Sequence, residues 1–290
     1  RTVYASTMTS GLSEGDSFAD VSGLADTQLS LGFQRLLGGA LVDLSLTANV
    51  PTGQTSLTEG EFSTSNAIAF DDYAFTLPSL GTGAMISPGL IIAIPAGPGL
   101  ALGVGASYAA RSSYTPFAND STRYAPASET VLTAGLDASL GGASTFTLEG
   151  SYVLYGDDTF GETTFSPGNK ATGTMRLALR GRLARGELLA RYRQVFDGTI
   201  GARPVGYIRP SQAQVVLGLG FGPESASLGV SAGARYYGSI DPDADDGIEL
   251  VSFLADQQVL LDLGAAPTIG LGESAELFGS FTYTVGLAEA

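Results

Sequence analysis

Cysteine, histidine and tryptophan are all absent from these 290 residues. Without cysteine there is no disulfide, no thiolate nucleophile and no thiolate metal site. Without histidine, no Ser-His or Cys-His pair and no zinc-protease helix can be assembled. Cations are scarce too. Lys+Arg is 14 against Asp+Glu 29, a net charge of −15, and Lys170 is the single lysine. A duplex-binding protein presents a basic face, so this balance speaks against nucleic acid. Charged residues of every kind make up only 15%, against a usual quarter. The phosphate loop Gly-x-x-x-x-Gly-Lys is missing, and Gly103-x-Gly105 sits within a strand pattern with no helix to follow. The reading is of a non-enzyme without cofactors; a carboxylate-pair hydrolase is the one catalytic class that composition leaves open. The chain opens at Arg1 without Met or a signal-peptide pattern, so a processed mature chain or a fragment is expected.

What the sequence has is glycine and alternation. Gly is 40 of 290, about twice the usual ~7%. Leu132, Ala134, Leu136, Ala138 and Leu140 alternate with Val131, Thr133, Gly135, Asp137 and Ser139. Val42, Leu44, Leu46, Ala48 and Val50 alternate with Asp43, Ser45, Thr47 and Asn49. Such a pattern makes a strand with one apolar and one polar face. It predicts strands over 2–11, 24–37, 40–50, 82–95, 99–112, 129–141, 143–156, 171–184, 186–197, 211–222, 225–238, 248–263 and 274–287. Short connections near 37–40, 95–98, 141–143, 184–186 and 222–225 alternate with long polar ones at 51–80, 113–128, 157–170, 198–210 and 239–247.

A meander with short turns at one end and long loops at the other is the signature of an outer-membrane barrel. The polar faces favour this over a soluble β-sandwich or a lipocalin-like barrel. They are mostly Gly, Ser, Thr and Gln, whereas water-facing sheets are rich in Lys and Glu. The expected fold is all-β: a transmembrane antiparallel up-and-down β-barrel of 12–14 strands, one domain over 1–290. Its periplasmic turns are short and its extracellular loops long and acidic. Thirteen predicted strands conflict with the usual even number, so 12 or 14 are expected, with terminal strands outside this sequence as one way to reconcile the count. Residues 73–110 carry no charge, and 85–104 resembles a hydrophobic helix by hydropathy. Pro88, Pro95 and Pro98 argue instead for two strands joined near 95–98.

One stretch resembles a known family. It consists of Ser22-Gly23-Leu24-Ala25-Asp26-Thr27, alternating residues 28–34, Leu41 to Val50 and Pro51-Thr52-Gly53, followed by Leu80-Gly81-Thr82-Gly83. This run is similar to the Gly-Leu-Gly-Asp … Leu-Pro-Thr-Gly signature of the outer-membrane family named for the meta-pathway of phenol degradation, grouped with FadL-like transporters of hydrophobic compounds. The resemblance covers about residues 20–115. Ala25 replaces the second Gly, and Asn49-Val50 the usual Lys-Leu. It implies a barrel type in a Gram-negative outer membrane, without a substrate.

Arginines form the main candidate constellation. Arg176, Arg180 and Arg182 share the face of Thr172 and Thr174, and Arg191 and Arg193 share a face of the next strand. These rows are expected to line a lumen, because an arginine facing lipid costs about 2–4 kcal/mol near the midplane. Arg111 and Arg235 fall on polar faces elsewhere; Arg185 is expected at a turn. By the same parity Asp43, Asp137, Glu149, Asp256, Asp262 and Glu276 point inward. They are expected either to neutralise the arginines in a lattice across the barrel or to leave a ladder that steers anions. Asp241, Asp243, Asp245 and Asp246 are spaced like a calcium loop, but the glycine and the twelfth residue miss the template, so a solvated acidic turn is expected rather than a metal site. Ten aromatics, among them Tyr108, Tyr114, Tyr152, Tyr155, Tyr192, Tyr237 and Phe281, are expected in girdles at the membrane interfaces.

The function expected is passive passage of small solutes, hydrophobic or aromatic ones included, through an Arg-lined lumen. The alternatives are a non-conducting barrel that anchors a partner at its loops, and an anion-selective porin. Expected partners are outer-membrane lipid, lipopolysaccharide and small solutes.

Overall fold

The computed structural model describes residues 4–9, 19–58, 61, 81–141, 143–181, 184–201, 203–205, 211–223, 226–238, 258–270 and 276–288. A hairpin comes first, β1 (Tyr4–Thr9) with β2 (Ala19–Leu24). Next are β3 (Thr27–Leu37), β4 (Ala40–Val50), β5 (Met85–Gly97) and β6 (Leu100–Arg111). The short β7 (Tyr124–Ala125) precedes β8 (Glu129–Gly141) and β9 (Ser144–Tyr155). β10 (Asp158–Phe160) and β11 (Thr163–Ser166) lead into β12 (Lys170–Arg180) and β13 (Ala184–Val195). β14 (Gly198–Ile200) and β15 (Arg203–Val205) precede β16 (Ser211–Phe221) and β17 (Ala226–Tyr237). β18 (Gln258–Gly270), β19 (Glu276–Phe278) and β20 (Phe281–Ala288) close the series. Among the described residues no helix is long and apolar enough to cross a membrane.

The main body is one antiparallel sheet in the order β3-β4-β5-β6-β8-β9-β12-β13-β16-β17-β18, with β19 and β20 both paired to β18. Those last two are halves of one interrupted strand, so the sheet is twelve strands wide. The interruption has a chemical cause. Pro267 lies within β18, and its carbonyl accepts from Gly279 N–H at 3.1 Å, so its backbone polar groups face the last strand. A proline has no N–H to return, and the ladder breaks there. Among the described residues no ladder joins β3 to the last strand.

Two expectations about strands need correction. Residues 2–11 do contain a strand, but β1 pairs only with β2 and stays outside the large sheet. The strand expected at 248–263 begins outside the described residues; within them β18 runs Gln258–Gly270, past the expected end, with Gly264 and Pro267 inside it rather than in a turn. The charge-free segment forms β5 and β6, as expected from its prolines.

The ladder registers carry one face coherently across all twelve strands. Gln34 opposes Asp43, Asp43 opposes Ile91, Ile91 opposes Gly105, and Gly105 opposes Thr133. Thr133 opposes Ser151, Ser151 opposes Thr172, and Thr172 opposes Arg193. Arg193 opposes Gln212, and Gln212 opposes Tyr237. Every charged residue of these strands with a described side chain lies on this face, save Arg35. Arg35 sits beside the Gly38-Gly39 turn, where both residues have positive φ (59° and 89°) as a type I′ hairpin turn requires.

The opposite face is apolar and uncovered. Leu31 (71% exposed), Phe33, Leu44, Ile92, Val104, Leu132, Leu148, Val215, Leu217, Val230 and Leu263 all stand open. The buried apolar residues among the described ones are few: Ala25, Leu57, Ala109, Val153, Val195 and Tyr237. In a sandwich the apolar face would be the buried one. This sheet therefore has no conventional core.

The long connections are not plain loops. β15-β14-β11-β10-β7 form a five-stranded sheet of their own. β10 and β11 continue the register of β9 and β12, and β14 continues that of β13 on β11. The two sheets part at Gly168 and Gly198, where neighbouring backbones run unusually close. A Cβ on Gly168 would lie 2.0 Å from the Phe196 carbonyl oxygen, and one on Gly198 2.2 Å from that of Ser166. Only glycine allows the backbones to approach so closely.

Candidate functional site

The polar face brings most of the predicted charges together, but pairs them between neighbouring strands rather than across the sheet. Arg235 on β17 donates through Nε (3.0 Å) and Nη2 (2.9 Å) to the two carboxylate oxygens of Asp262 on β18, a bidentate fork. The Thr284 hydroxyl donates to the same carboxylate at 2.7 Å. Arg111 pairs with Glu129 at 2.6 Å, and Arg176 with Glu187 at 2.7 Å. Asp43 accepts from the Gln34 side-chain amide, and Asp137 from the Thr147 hydroxyl at 2.7 Å. Among the described residues these ion pairs are local, because adjacent strands are only about 4.8 Å apart. Glu129 and Glu187 were overlooked by the sequence reading. Their parity with Val131 and with Arg191 was the available signal.

Arg180 and Arg191 lie on this face, and among the described residues neither has an acidic partner. Glu149 lies there too, opposite Thr174. Arg185, expected at a turn, is instead a strand residue: it stands opposite Arg180 and donates to Ser227 Oγ at 3.1 Å. Arg182, Asp256, Asp241, Asp243, Asp245 and Asp246 lie outside the described residues. Glu276 stands opposite Gly270 in the register. Among the described residues no acidic cluster can hold a metal ion.

The two ends of the polar face differ. At the short-turn end of β9, β12, β13, β16 and β17 it opens into a cavity of about 660 Å³ lined by Arg176, Arg180, Arg185, Glu187, Thr147 and Ser231 among others. At the long-connection end it is packed. Arg193 is buried at 8% exposure, and Val153, Val195, Tyr237 and Ala109 on the same face are buried as well.

Above that layer the connections build an aromatic cap. Tyr114 meets Tyr124 edge-on at 5.4 Å, Tyr124 stacks on Phe165 at 6.0 Å, and Phe117 meets Phe160 at 5.9 Å. Asp158, one of the acids of the long connections, is buried here. It accepts from the Tyr124 hydroxyl (2.6 Å) and from Ala127 N–H (2.6 Å). Burial, the bond to Asp158 and that carboxylate's charge push the Tyr124 phenol far above the usual tyrosine range. Burial and the same carboxylate raise Tyr114 as well. Tyr114 thus belongs to the cap, and Tyr155 and Tyr237 to the polar face, rather than to a girdle. Tyr108, Tyr152, Tyr192 and Tyr236 remain on the apolar face toward the long-connection end.

Asp26 joins the three segments that carry the family resemblance. It accepts from Gly53 N–H (2.9 Å), Thr82 N–H (2.8 Å) and the Asn49 side-chain amide (3.0 Å). Thr52 Oγ1 accepts from Thr27 N–H at 2.9 Å beside it. One carboxylate therefore ties the start of β3 to the end of β4 and the approach to β5.

No protein-family model and no curated protein matches this chain.

Proposed function

We propose that the chain is an outer-membrane β-barrel for passive passage of small solutes, hydrophobic or aromatic ones included, through an arginine-bearing lumen. The observation that carries this reading is the division of the sheet into a charged, small-residue face and an uncovered apolar face across all twelve strands. An exposed apolar surface of that extent needs lipid to cover it. An eleven-residue strand such as β12 spans about 37 Å, or about 28 Å when tilted about 40°, close to the apolar band of about 25 Å in such barrels. Twelve is an even number, so the two edge strands run antiparallel, as direct closure into a barrel requires. The Asp26 junction supports the proposed kinship with the phenol meta-pathway family, because it gives the three resembling segments one shared structural task.

A second reading has its own support. The layer of Arg193, Val153, Val195 and Tyr237 beneath the aromatic cap favours a barrel closed at the long-connection end, which would anchor a partner there instead of conducting. Single-channel conductance of the purified chain in a planar bilayer, with a salt gradient, separates the two. Steady conductance supports passage. Insertion without conductance favours the anchor, and failure to insert overturns both. Anion preference that falls on Arg191→Ala would mark the lumen as an anion-selective pore.

A further inference from the structure

Two arginines face each other, and among the described residues no carboxylate pairs with either. Arg180 of β12 and Arg185 of β13 are direct partners in the ladder. Like charges placed directly opposite destabilise a sheet. The neighbouring acid is already engaged: Glu187 is held by Arg176 at 2.7 Å. Among the described residues neither Arg180 nor Arg185 makes an ion pair. Arg185 is held in place all the same. Its side chain lies over Gly220, where a Cβ would meet Arg185 Nε at 2.4 Å, and it is tethered to Ser227. A glycine floor, a tether and a facing arginine frame a site rather than a loose surface charge. Both arginines line the 660 Å³ cavity, which is within the range of small-molecule sites of about 300–1,000 Å³.

We propose that this cavity binds a small free solute carrying a doubly charged oxyanion, held between the forks of Arg180 and Arg185. Guanidinium groups match phosphate and carboxylate oxygens two at a time. A free solute is favoured over a lipid headgroup because the polar side chains lining the site beside the two arginines, Thr147, Arg176, Glu187 and Ser231, all belong to the polar face. The proposal deepens the lumen reading and rests on it: the polar face must be water-filled at its short-turn end.

The test is titration calorimetry of the full refolded chain in zwitterionic detergent micelles with inorganic phosphate at fixed ionic strength. One phosphate per chain is expected. Arg180→Gln and Arg185→Gln should each weaken binding about tenfold or more, and Arg180→Lys, which keeps the charge but loses the fork, by less. Arg35→Gln, on the apolar face, should leave it unchanged. Circular dichroism establishes that each variant is folded. A folded wild-type chain that binds no phosphate overturns the proposal. An equal loss in Arg35→Gln also overturns it, since that is general charge attraction. The titration is repeated in vesicles of phosphatidylglycerol, where unchanged affinity is expected. Loss of phosphate binding there would assign the site to a lipid headgroup and overturn the solute. Flotation with the vesicles is read separately: a chain that floats but binds nothing fails this proposal alone, and one that does not float fails the membrane reading.

Discussion

At the level of single residues, two carboxylates organise the long-connection end, and each makes a prediction. Asp26 accepts two backbone N–H groups, from Gly53 and Thr82, along with the Asn49 amide. Asp26→Ala strands those donors, and at about 1–3 kcal/mol for each unsatisfied group the folded chain should lose about 2–4 kcal/mol. Urea unfolding in micelles measures this; an unshifted midpoint would show that water replaces the carboxylate without cost. Asp158 acts through Tyr124. Tyr124 is raised in the folded state above its unfolded value of about 10, so its stabilising contribution is complete below about pH 10. That contribution is lost progressively as pH rises from there through the much higher folded value. Ultraviolet titration should show a late-ionising tyrosine that disappears in Tyr124→Phe. Ionisation of all tyrosines near pH 10 would mean that the cap is open in solution. Asp26 was readable as a motif residue, but its partners were not, because they come from segments up to 56 residues away.

At the level of strands, alternation told which residues share a face and said little about where strands stop. Parity put Arg111, Arg176, Arg180, Arg191, Arg193, Arg235, Asp43, Asp137, Glu149 and Asp262 on one face, and the ladders keep them there. Pairing partners escaped the reading because register is a property of two strands, and neither sequence alone carries it. β18 was misplaced because Pro267 looks like a turn residue; its cost falls on the next strand, which breaks instead. The outer five-stranded sheet was missed because its strands are only two to four residues long, too short to show a period. That sheet depends on the close backbone approach at Gly168 and Gly198. Gly198→Ala should detach it while the twelve-strand sheet survives, since the added Cβ meets the Ser166 carbonyl oxygen at 2.2 Å. Limited proteolysis reads the outcome: cleavage within residues 157–169 should appear without loss of the strand signal in circular dichroism. Resistance equal to wild type would show that the backbone there relaxes around a methyl group.

For the whole molecule, the account reduces to which face of the sheet meets lipid. The all-β class and the large antiparallel sheet were readable because period-2 alternation recurs along the chain, with short turns between successive strands. The cavity at the short-turn end and the packed layer at the other were not readable, since the first is lined from six strands and the second from four, all meeting in space. The absence of native cysteine makes the decisive measurement clean. Single cysteines placed one at a time from Ala213 to Leu219 of β16 carry a fluorophore, and the chain is reconstituted in bilayers containing brominated lipid. Quenching by lipid should alternate with a period of two. It should be strong at positions 213, 215, 217 and 219, while positions 214, 216 and 218 answer instead to aqueous iodide. Quenching with the opposite phase, or none by lipid at any position, would contradict a sheet that turns its apolar face to the membrane.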